Sequence, residues 1–170
     1  MRYANVIGVA ALLAVSCASV PTVVKYEAIP HGSRVAVIPF RDCTTPGQDD
    51  CGGSGNIAGT IYAQVLASRP DFRFEPVSRP IPAAEALSDD AAIKYVAGKG
   101  FDFVMNGEVN DFYRVAPMTF RSERVGLSVR VLRVRDGKIV TFQTEAAQAG
   151  NFTTPERMLE RLAAKLAEKF

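Results

Sequence analysis

The residues of this chain best suited to chemistry are its three cysteines and its single histidine. Cys17 ends an apolar stretch near the N-terminus, whereas Cys43 and Cys51 share one loop rich in Gly, Pro and Asp. One histidine and three cysteines at these spacings do not match any common tetrahedral zinc site. A Ser-His-Asp arrangement would have to use His31, which lies in a segment predicted to be a linker. The sequence therefore predicts no metal centre.

Cys17 follows a segment typical of secretory signals. Arg2 is the only charge before the apolar run 6–15, which is too short to cross a bilayer, since a spanning helix needs about 20 apolar residues. The run leads into residues 14–17 (Ala-Val-Ser-Cys), which resemble the bacterial lipobox. This resemblance implies cleavage before Cys17 and lipidation of its thiol. Because Ala18 follows, and not Asp, it also implies sorting to the outer membrane. A cleaved signal with an incidental cysteine is the alternative.

These features divide the chain into three parts. Residues 1–16 are predicted to be a signal peptide, residues 17–33 a lipidated N-terminus and tether, and residues 34–170 a single domain. Beyond the signal, no other stretch of the sequence is long and apolar enough to span a membrane. We therefore expect a folded domain held by a lipid at the periplasmic face of the outer membrane.

The other two cysteines are predicted to form a disulfide. An exported domain meets oxidising conditions, and Cys43 and Cys51 lie close together in one loop. Closing so short a loop stabilises the fold by roughly 2–3 kcal/mol in the chain-entropy model. A redox or metal-binding pair is the alternative, although the spacing is not Cys-x-x-Cys.

Basic residues concentrate in one segment, residues 114–138, which we call the basic hairpin region. It contains seven Lys or Arg and two Asp or Glu residues. The interpretation without a binding role is a solvated strand face whose charges protect a sheet edge from pairing with another strand. The functional interpretation is a docking face for an acidic partner or an anionic envelope polymer. The candidate partner-binding residues are Arg121, Arg124, Arg130, Arg133 and Arg135.

The parity of these arginines separates them into two sets. Val125, Leu127, Val129 and Val131 alternate with polar residues, as in a strand with one buried face. Arg124 and Arg130 fall on the opposite face. Arg133 and Arg135 share the parity of the apolar residues, so they must lie beyond the core or follow a β-bulge.

The sequence carries no enzyme signature. It contains no G-x-x-x-x-G-K-[ST], H-E-x-x-H or G-x-S-x-G motif. The glycine-rich residues 52–55 precede a predicted helix, but they lack a following Lys, and Asp49 and Asp50 would repel a phosphate. A net charge of +2 is too small to indicate general nucleic-acid binding. We expect a non-enzymatic protein without a cofactor.

Hydrophobic periodicity predicts an α/β (α+β) domain with the order β-α-β-α-β-β-β-α, one mixed sheet with helices packed on it. Residues 23–26 could add a short edge strand. Ser54 is a candidate cap of the first helix, Asp136-Gly137 is typical of a two-residue hairpin turn, and Thr153-x-x-Glu156 is a capping box. The predicted strands are 34–40, 72–77, 101–109, 125–131 and 138–144, and the predicted helices follow residues 54, 90 and 153.

Residues 35–42, 72–77 and 100–109, followed by the long hairpin from Val125, resemble three related groups of envelope proteins. These are the curli-secretion lipoproteins, the lipoprotein activators of penicillin-binding proteins, and the N-terminal domain of the Tol system's propeller protein. The resemblance covers about residues 34–170. It implies the mixed-sheet fold and a role in the cell envelope. The sequence shows no amphipathic hairpins like those of the secretion channels, which argues against a pore.

The leading hypothesis is a periplasmic docking or assembly component of an envelope structure or secretion machinery, with an envelope protein as its partner. The alternative is a regulator of a peptidoglycan synthase, as the activators are. A tether of about sixteen residues reaches at most about 55 Å, which makes contact with an inner-membrane synthase difficult. A binder of a small molecule or glycan is a weaker alternative, because it needs a concave apolar pocket.

The disulfide can be tested by thiol labelling of the purified domain without reductant. We expect neither Cys43 nor Cys51 to react, and both to react after reduction under denaturing conditions. Quantitative labelling of both cysteines in the unreduced domain would contradict the pairing.

Overall fold

The computed structural model describes residues 23–45, 51–114, 122–150 and 153–170. Two residues singled out by the sequence, Cys17 and Arg121, lie outside these ranges. The described residues form one mixed six-stranded sheet with three helices, which confirms the predicted fold class. The elements are β1 (Val23–Lys25), β2 (Arg34–Val37), α1 (Ser54–Leu66), β3 (Arg73–Pro76), α2 (Asp89–Val96), β4 (Phe103–Tyr113), β5 (Glu123–Arg133), β6 (Ile139–Ala149) and α3 (Pro155–Ala167).

The strands lie in the order β1-β6-β5-β4-β2-β3. β2 is parallel to both β3 and β4, whereas β4, β5, β6 and β1 pair antiparallel. From β2 onward the element order is the one predicted. β1 lies within the predicted tether and pairs with residues 141–143 of β6. The sheet therefore includes a segment that precedes the predicted domain boundary at residue 34.

The sheet separates two apolar clusters. Helices α1 and α3 pack together and cover one face, and α2 covers part of the other. β2 is buried on both sides: Val35 and Val37 face α1, while Ala36 and Ile38 belong to the α2 cluster. A strand covered on both faces has no polar alternation, which explains the continuous apolar run in the sequence.

Helix α1 lies unusually close to the chain that follows β2. A Cβ atom on Gly55 would collide with the carbonyl group of Phe40, with the carbonyl carbon 2.6 Å away. One turn later, a Cβ on Gly59 would lie 2.9 Å from the Cα of Pro39. The Phe40 amide donates a hydrogen bond to the Gly55 carbonyl oxygen at 3.0 Å. Only glycine permits this close contact between the helix backbone and the chain that follows β2.

The N-terminus of α1 is capped from a distant position in the loop. Asp42 accepts hydrogen bonds from the amides of Gly53 (3.1 Å) and Gly55 (2.7 Å). Ser54 is not the cap that the sequence suggested, because it is the first helical residue and its hydroxyl accepts a bond from the Cys43 amide. Cys43 and Cys51 form a disulfide beside this contact, with their Cα atoms 5.1 Å apart.

Two further local predictions were wrong by small shifts. The cap of α3 is Thr154, whose hydroxyl accepts a bond from the Arg157 amide at 3.4 Å. The cap is thus one residue later than predicted, and because Arg157 and not Glu156 lies three residues after it, the predicted capping box is wrong. The β5–β6 connection spans residues 134–138, not the two residues Asp136-Gly137. Gly137 still supplies the left-handed backbone (φ 73°) that closes the connection.

The close approach of α1 generates a test. Gly55→Ala should lower the free energy of unfolding by about 3 kcal/mol, because a backbone collision cannot be relieved by a rotamer change. Gly52→Ala is the matched control, since a Cβ there meets nothing within 4 Å, and its effect should stay within about 0.5 kcal/mol. Urea denaturation without reductant measures both, and equal stabilities would contradict the contact.

Candidate docking surface

The strands of the basic hairpin region present one face to α1 and α3 and the other face away from them. Val125, Leu127, Val129 and Val131 are buried in the α1–α3 cluster. Arg124 and Arg130 lie on the opposite face, as their parity predicted. We call the part of this opposite face that no described helix covers the open sheet face; its members on β5 and β6 are Arg124, Ser128, Phe142, Thr144, Ala146 and Gln148.

Arg130 connects the open sheet face to α2. Its Nε donates to Asp89 Oδ1 at 3.0 Å, and Asp89 is in the first turn of α2. Buried Asn106 on β4 donates to the same carboxylate at 2.9 Å and to the carbonyl of Leu87 at 3.0 Å. The Arg130 side chain is only one-quarter exposed. Its charge therefore serves mainly to dock α2 on the sheet.

Arg133 is occupied by two carboxylates at the end of β5. It donates to both carboxylate oxygens of Glu27 (2.7 and 3.3 Å) and to Asp136 at 2.9 Å. Its side chain is 15% exposed. The hydrogen bond from Arg133 is the main cause that lowers the pKa of Asp136 below its ordinary value. Arg133 thus fastens the segment after β1 to the β5–β6 connection.

The position of Arg133 resolves the parity question. Along β5 and β6 the register shifts where Val131 pairs with Thr141 but Leu132 pairs with Ile139. Val140 is thus the extra residue of a bulge on β6, not on β5. Arg133 is therefore on the same face of β5 as the buried residues Val129 and Val131. It lies beyond them, at the end of the strand. Arg135 lies in the connection that follows and is exposed.

Arg124 is the most accessible of the candidate arginines on the strands. Its side chain is 48% exposed, its Nε is 3.5 Å from Asp111, and its guanidinium lies 5.4 Å from the centre of the Tyr113 ring. A shallow cleft of about 280 Å³ beside it is lined by Tyr113, Ser122, Arg124 and Gln148. A charged group, an aromatic ring and amide and hydroxyl groups are thus available together at this end of the open sheet face.

An open cleft of about 500 Å³ lies at the opposite end of the sheet, and its lining includes His31, Phe101, Asp102, Arg133 and Arg135. His31 is exposed, stacks on Phe72 and lies 3.7 Å from Asp71. The nearby Ser33 hydroxyl donates to the Pro30 carbonyl. This mixed lining differs from the apolar pocket that a small-molecule binder generally has.

Among the described residues, no group of three or more His, Cys, Asp or Glu side chains is placed to hold a metal ion. None of their helices combines the length and apolar character needed to cross a membrane.

Solved structures share this fold. The dodecamer of a PelC point variant from Paraburkholderia phytofirmans is 17% identical, with a TM-score of 0.65 over 85% of this chain and 93% of that one. A second PelC dodecamer structure from the same organism is 19% identical, with a TM-score of 0.63 over 85% of this chain and 91% of that one. Lipoprotein GNA1162 from Neisseria meningitidis is 16% identical, with a TM-score of 0.52 over 80% of this chain and 96% of that one. No family model and no curated protein sequence matches the chain.

These matches define the class of fold to which the chain belongs. It is a mixed-sheet domain that PelC and the lipoprotein GNA1162 share. The fold implied by the sequence resemblance to envelope lipoproteins is therefore confirmed.

The ion pair at the end of β5 predicts a titration change. Arg133→Ala should raise the pKa of Asp136 toward its ordinary value near 3.8, because the main cause of the lowering is removed. Since the folded-state pKa of Asp136 is lowered, its ion pair stabilises the fold above the ordinary pKa and is lost as pH falls through the folded value. Carbon-detected NMR titration of the carboxyl groups measures the change.

Arg130→Ala is the control for this titration, since Arg130 binds Asp89 on the opposite face of the sheet. It should leave the Asp136 titration unchanged. An unchanged Asp136 pKa in the Arg133 variant would show that the guanidinium does not set it.

Proposed function

We propose that this protein is a non-enzymatic lipoprotein, anchored at the periplasmic face of the outer membrane, that docks or assembles other components of the cell envelope. The observation that supports it best is the combination of two independent features. Residues 14–17 resemble a lipobox, and the domain that follows shares its fold with a lipoprotein.

The position of β1 limits the reach of the proposed anchor. Val23 already pairs with Gln143 in the sheet, so six residue steps separate it from Cys17. Fully extended, six steps span about 20 Å. This is much less than the roughly 55 Å allowed by a tether ending at residue 33. A domain held so near the membrane favours partners at the same membrane and disfavours regulation of an inner-membrane synthase.

Anchoring supplies the mechanism. A lipid on Cys17 would confine the domain to a thin layer beside the membrane and so raise the effective concentration of every partner within reach. Individually weak contacts are then sufficient for assembly. Of the three candidate arginines on β5, Arg124 is the most available for such a contact, since Arg130 and Arg133 are largely covered and bound to carboxylates.

Assembly with further copies of the same chain is part of this proposal. The two PelC structures with this fold are described as dodecamers. This supports a domain that works within a multimer at the membrane.

The anchor is tested by fractionation of cells that produce the full chain. Cys17→Ser should move the protein from the membrane to the soluble periplasmic fraction, because the thiol that would carry the lipid is gone. Ser16→Ala, which keeps a small residue before the cysteine, should remain in the membrane fraction. Immunoblotting after density-gradient separation of inner and outer membranes measures both, and a membrane-bound Cys17→Ser protein would contradict the anchor.

A further inference from the structure

Helix α1 differs from the other two helices because it carries no charge. Its thirteen residues include no Asp, Glu, Lys or Arg. α3 has the same length and carries five charged side chains, and the eight residues of α2 carry three. Protein surfaces generally carry many charges, whereas the centres of interfaces are depleted of them. The composition of α1 is therefore typical of a helix that contacts a partner on its outer side.

The side of α1 that faces away from the sheet consists of two rows of residues at four-residue spacing, which lie on one side of a helix. We call it the α1 outer face; its members are the exposed residues Asn56, Thr60 and Gln64 and the partly buried residues Ile57, Ile61 and Val65. Gly55 and Gly59, which contact the chain after β2, lie on the opposite side of the helix. The α1 outer face thus combines branched apolar side chains with hydroxyl and amide groups.

A second apolar surface lies on the other side of the sheet, next to β1. The large hydrophobic side chains exposed among the described residues are those of Tyr26 (60%) and Ile139 (39%). Ile139 pairs with Leu132, whose side chain belongs to the α2 cluster, so Ile139 lies on the α2 side of the sheet. The Tyr26 amide donates to the Val140 carbonyl at 2.8 Å, which places Tyr26 beside Ile139.

Val24 and Phe142 extend this surface. They are directly paired, and Phe142 is a member of the open sheet face, so both lie on that face. We call Val24, Tyr26, Ile139 and Phe142 the β1–β6 patch. The neighbouring side chains of Lys25, Glu27 and Lys138 are exposed and charged. An apolar centre within a polar rim is the usual construction of a protein interface.

We propose that the α1 outer face of one copy of this chain packs on the β1–β6 patch of the next copy. This inference deepens the proposed function, because it rests on the assembly role and names the two surfaces that carry it. The surfaces lie on opposite sides of the sheet, so the contact is head-to-tail and each copy keeps one surface for a further copy. Head-to-tail contacts close into a ring when the rotation between copies allows it.

The chemistry of the two surfaces is complementary. The apolar row of the α1 outer face would bury the rings of Tyr26 and Phe142, and removal of apolar area from water drives association. Thr60 and Gln64 offer a hydroxyl and an amide to the Tyr26 hydroxyl, which needs a partner once it is buried. Because α1 has no charge, the lysines at the rim of the patch meet no like charge on it.

Cross-linking of the full chain, purified from membranes in mild detergent, tests the pairing of the two surfaces. Gln64→Cys places a thiol on the α1 outer face, and Lys138→Cys places one at the rim of the β1–β6 patch. The double variant, treated with a short bismaleimide, should give a ladder of dimers, trimers and larger species, because each copy links to two others. Each single variant should remain largely monomeric on a denaturing gel, since equivalent thiols do not face each other.

Ala164→Cys combined with Lys138→Cys is the matched control, because Ala164 is exposed on α3. It should give little cross-linked product. The wild-type protein, treated in the same way, sets the background from its own cysteines. A monomeric Gln64→Cys/Lys138→Cys protein, an equal ladder from the control, or a dimer from either single variant would overturn the proposal.

Gln64→Lys tests the same contact without cross-linking. The new charge would be buried without a partner and beside the lysines at the patch rim, so association should weaken at least about tenfold. Sedimentation velocity should then show a smaller species than the wild-type protein. Ala164→Lys should leave the size unchanged.

Both positions are exposed, so neither lysine variant should change the fold. A Gln64→Lys protein of wild-type size, or a monomeric wild-type protein, would refute the inference. The Cys17→Ser fractionation is independent of these results, so failure of the contact between copies and failure of the anchor are distinguishable.

Discussion

A single buried amide, Gln143, fixes how the helices and the sheet are arranged. Its Nε2 donates to the Leu162 carbonyl in α3, and its Oε1 accepts from the Tyr62 hydroxyl in α1, both at 2.9 Å. Burial raises the pKa of Tyr62 well above its ordinary value, so the hydroxyl remains a neutral donor. A lost partner would leave buried polar groups unsatisfied, each at a cost of about 1–3 kcal/mol. Gln143 also pairs with Val23 of β1.

This arrangement decides which surfaces remain available. With α1 and α3 on one face, α2 is the one described helix on the other face, where Leu87 of the preceding segment packs with it; this cluster includes Val104 and Leu132 but no described residue of the far part of β5 and β6. The open sheet face is therefore a surface of these two strands that no described helix covers. A lipid on Cys17 would hold it within a short distance of the membrane. The proposed docking role thus depends on the packing of the helices on the sheet.

The positive charge that the fold exposes is smaller than the sequence suggests. Residues 114–138 carry a local excess of positive charge, yet Arg130 meets Asp89 from 41 residues away and Arg133 meets Glu27 from 106 residues away. Much of the apparent basic face is therefore neutralised within the molecule. Arg124, half-exposed beside Tyr113, keeps the accessibility that a contact residue needs. Charge counted along the chain overstates the charge presented to a partner, because a folded chain places distant acids beside its bases.

Local patterns determined most of the fold. Period-two alternation predicted β5, the apolar run predicted a doubly covered β2, and parity placed Arg124 and Arg130 away from the core. The full length of β6, the cap that Asp42 supplies to α1, and the shift of the bulge onto β6 were decided only by the tertiary structure. The physical reason is the same in each case. Periodicity reports which face of an element is buried, whereas caps, ion pairs and strand ends depend on partners that are distant in sequence and close only after folding.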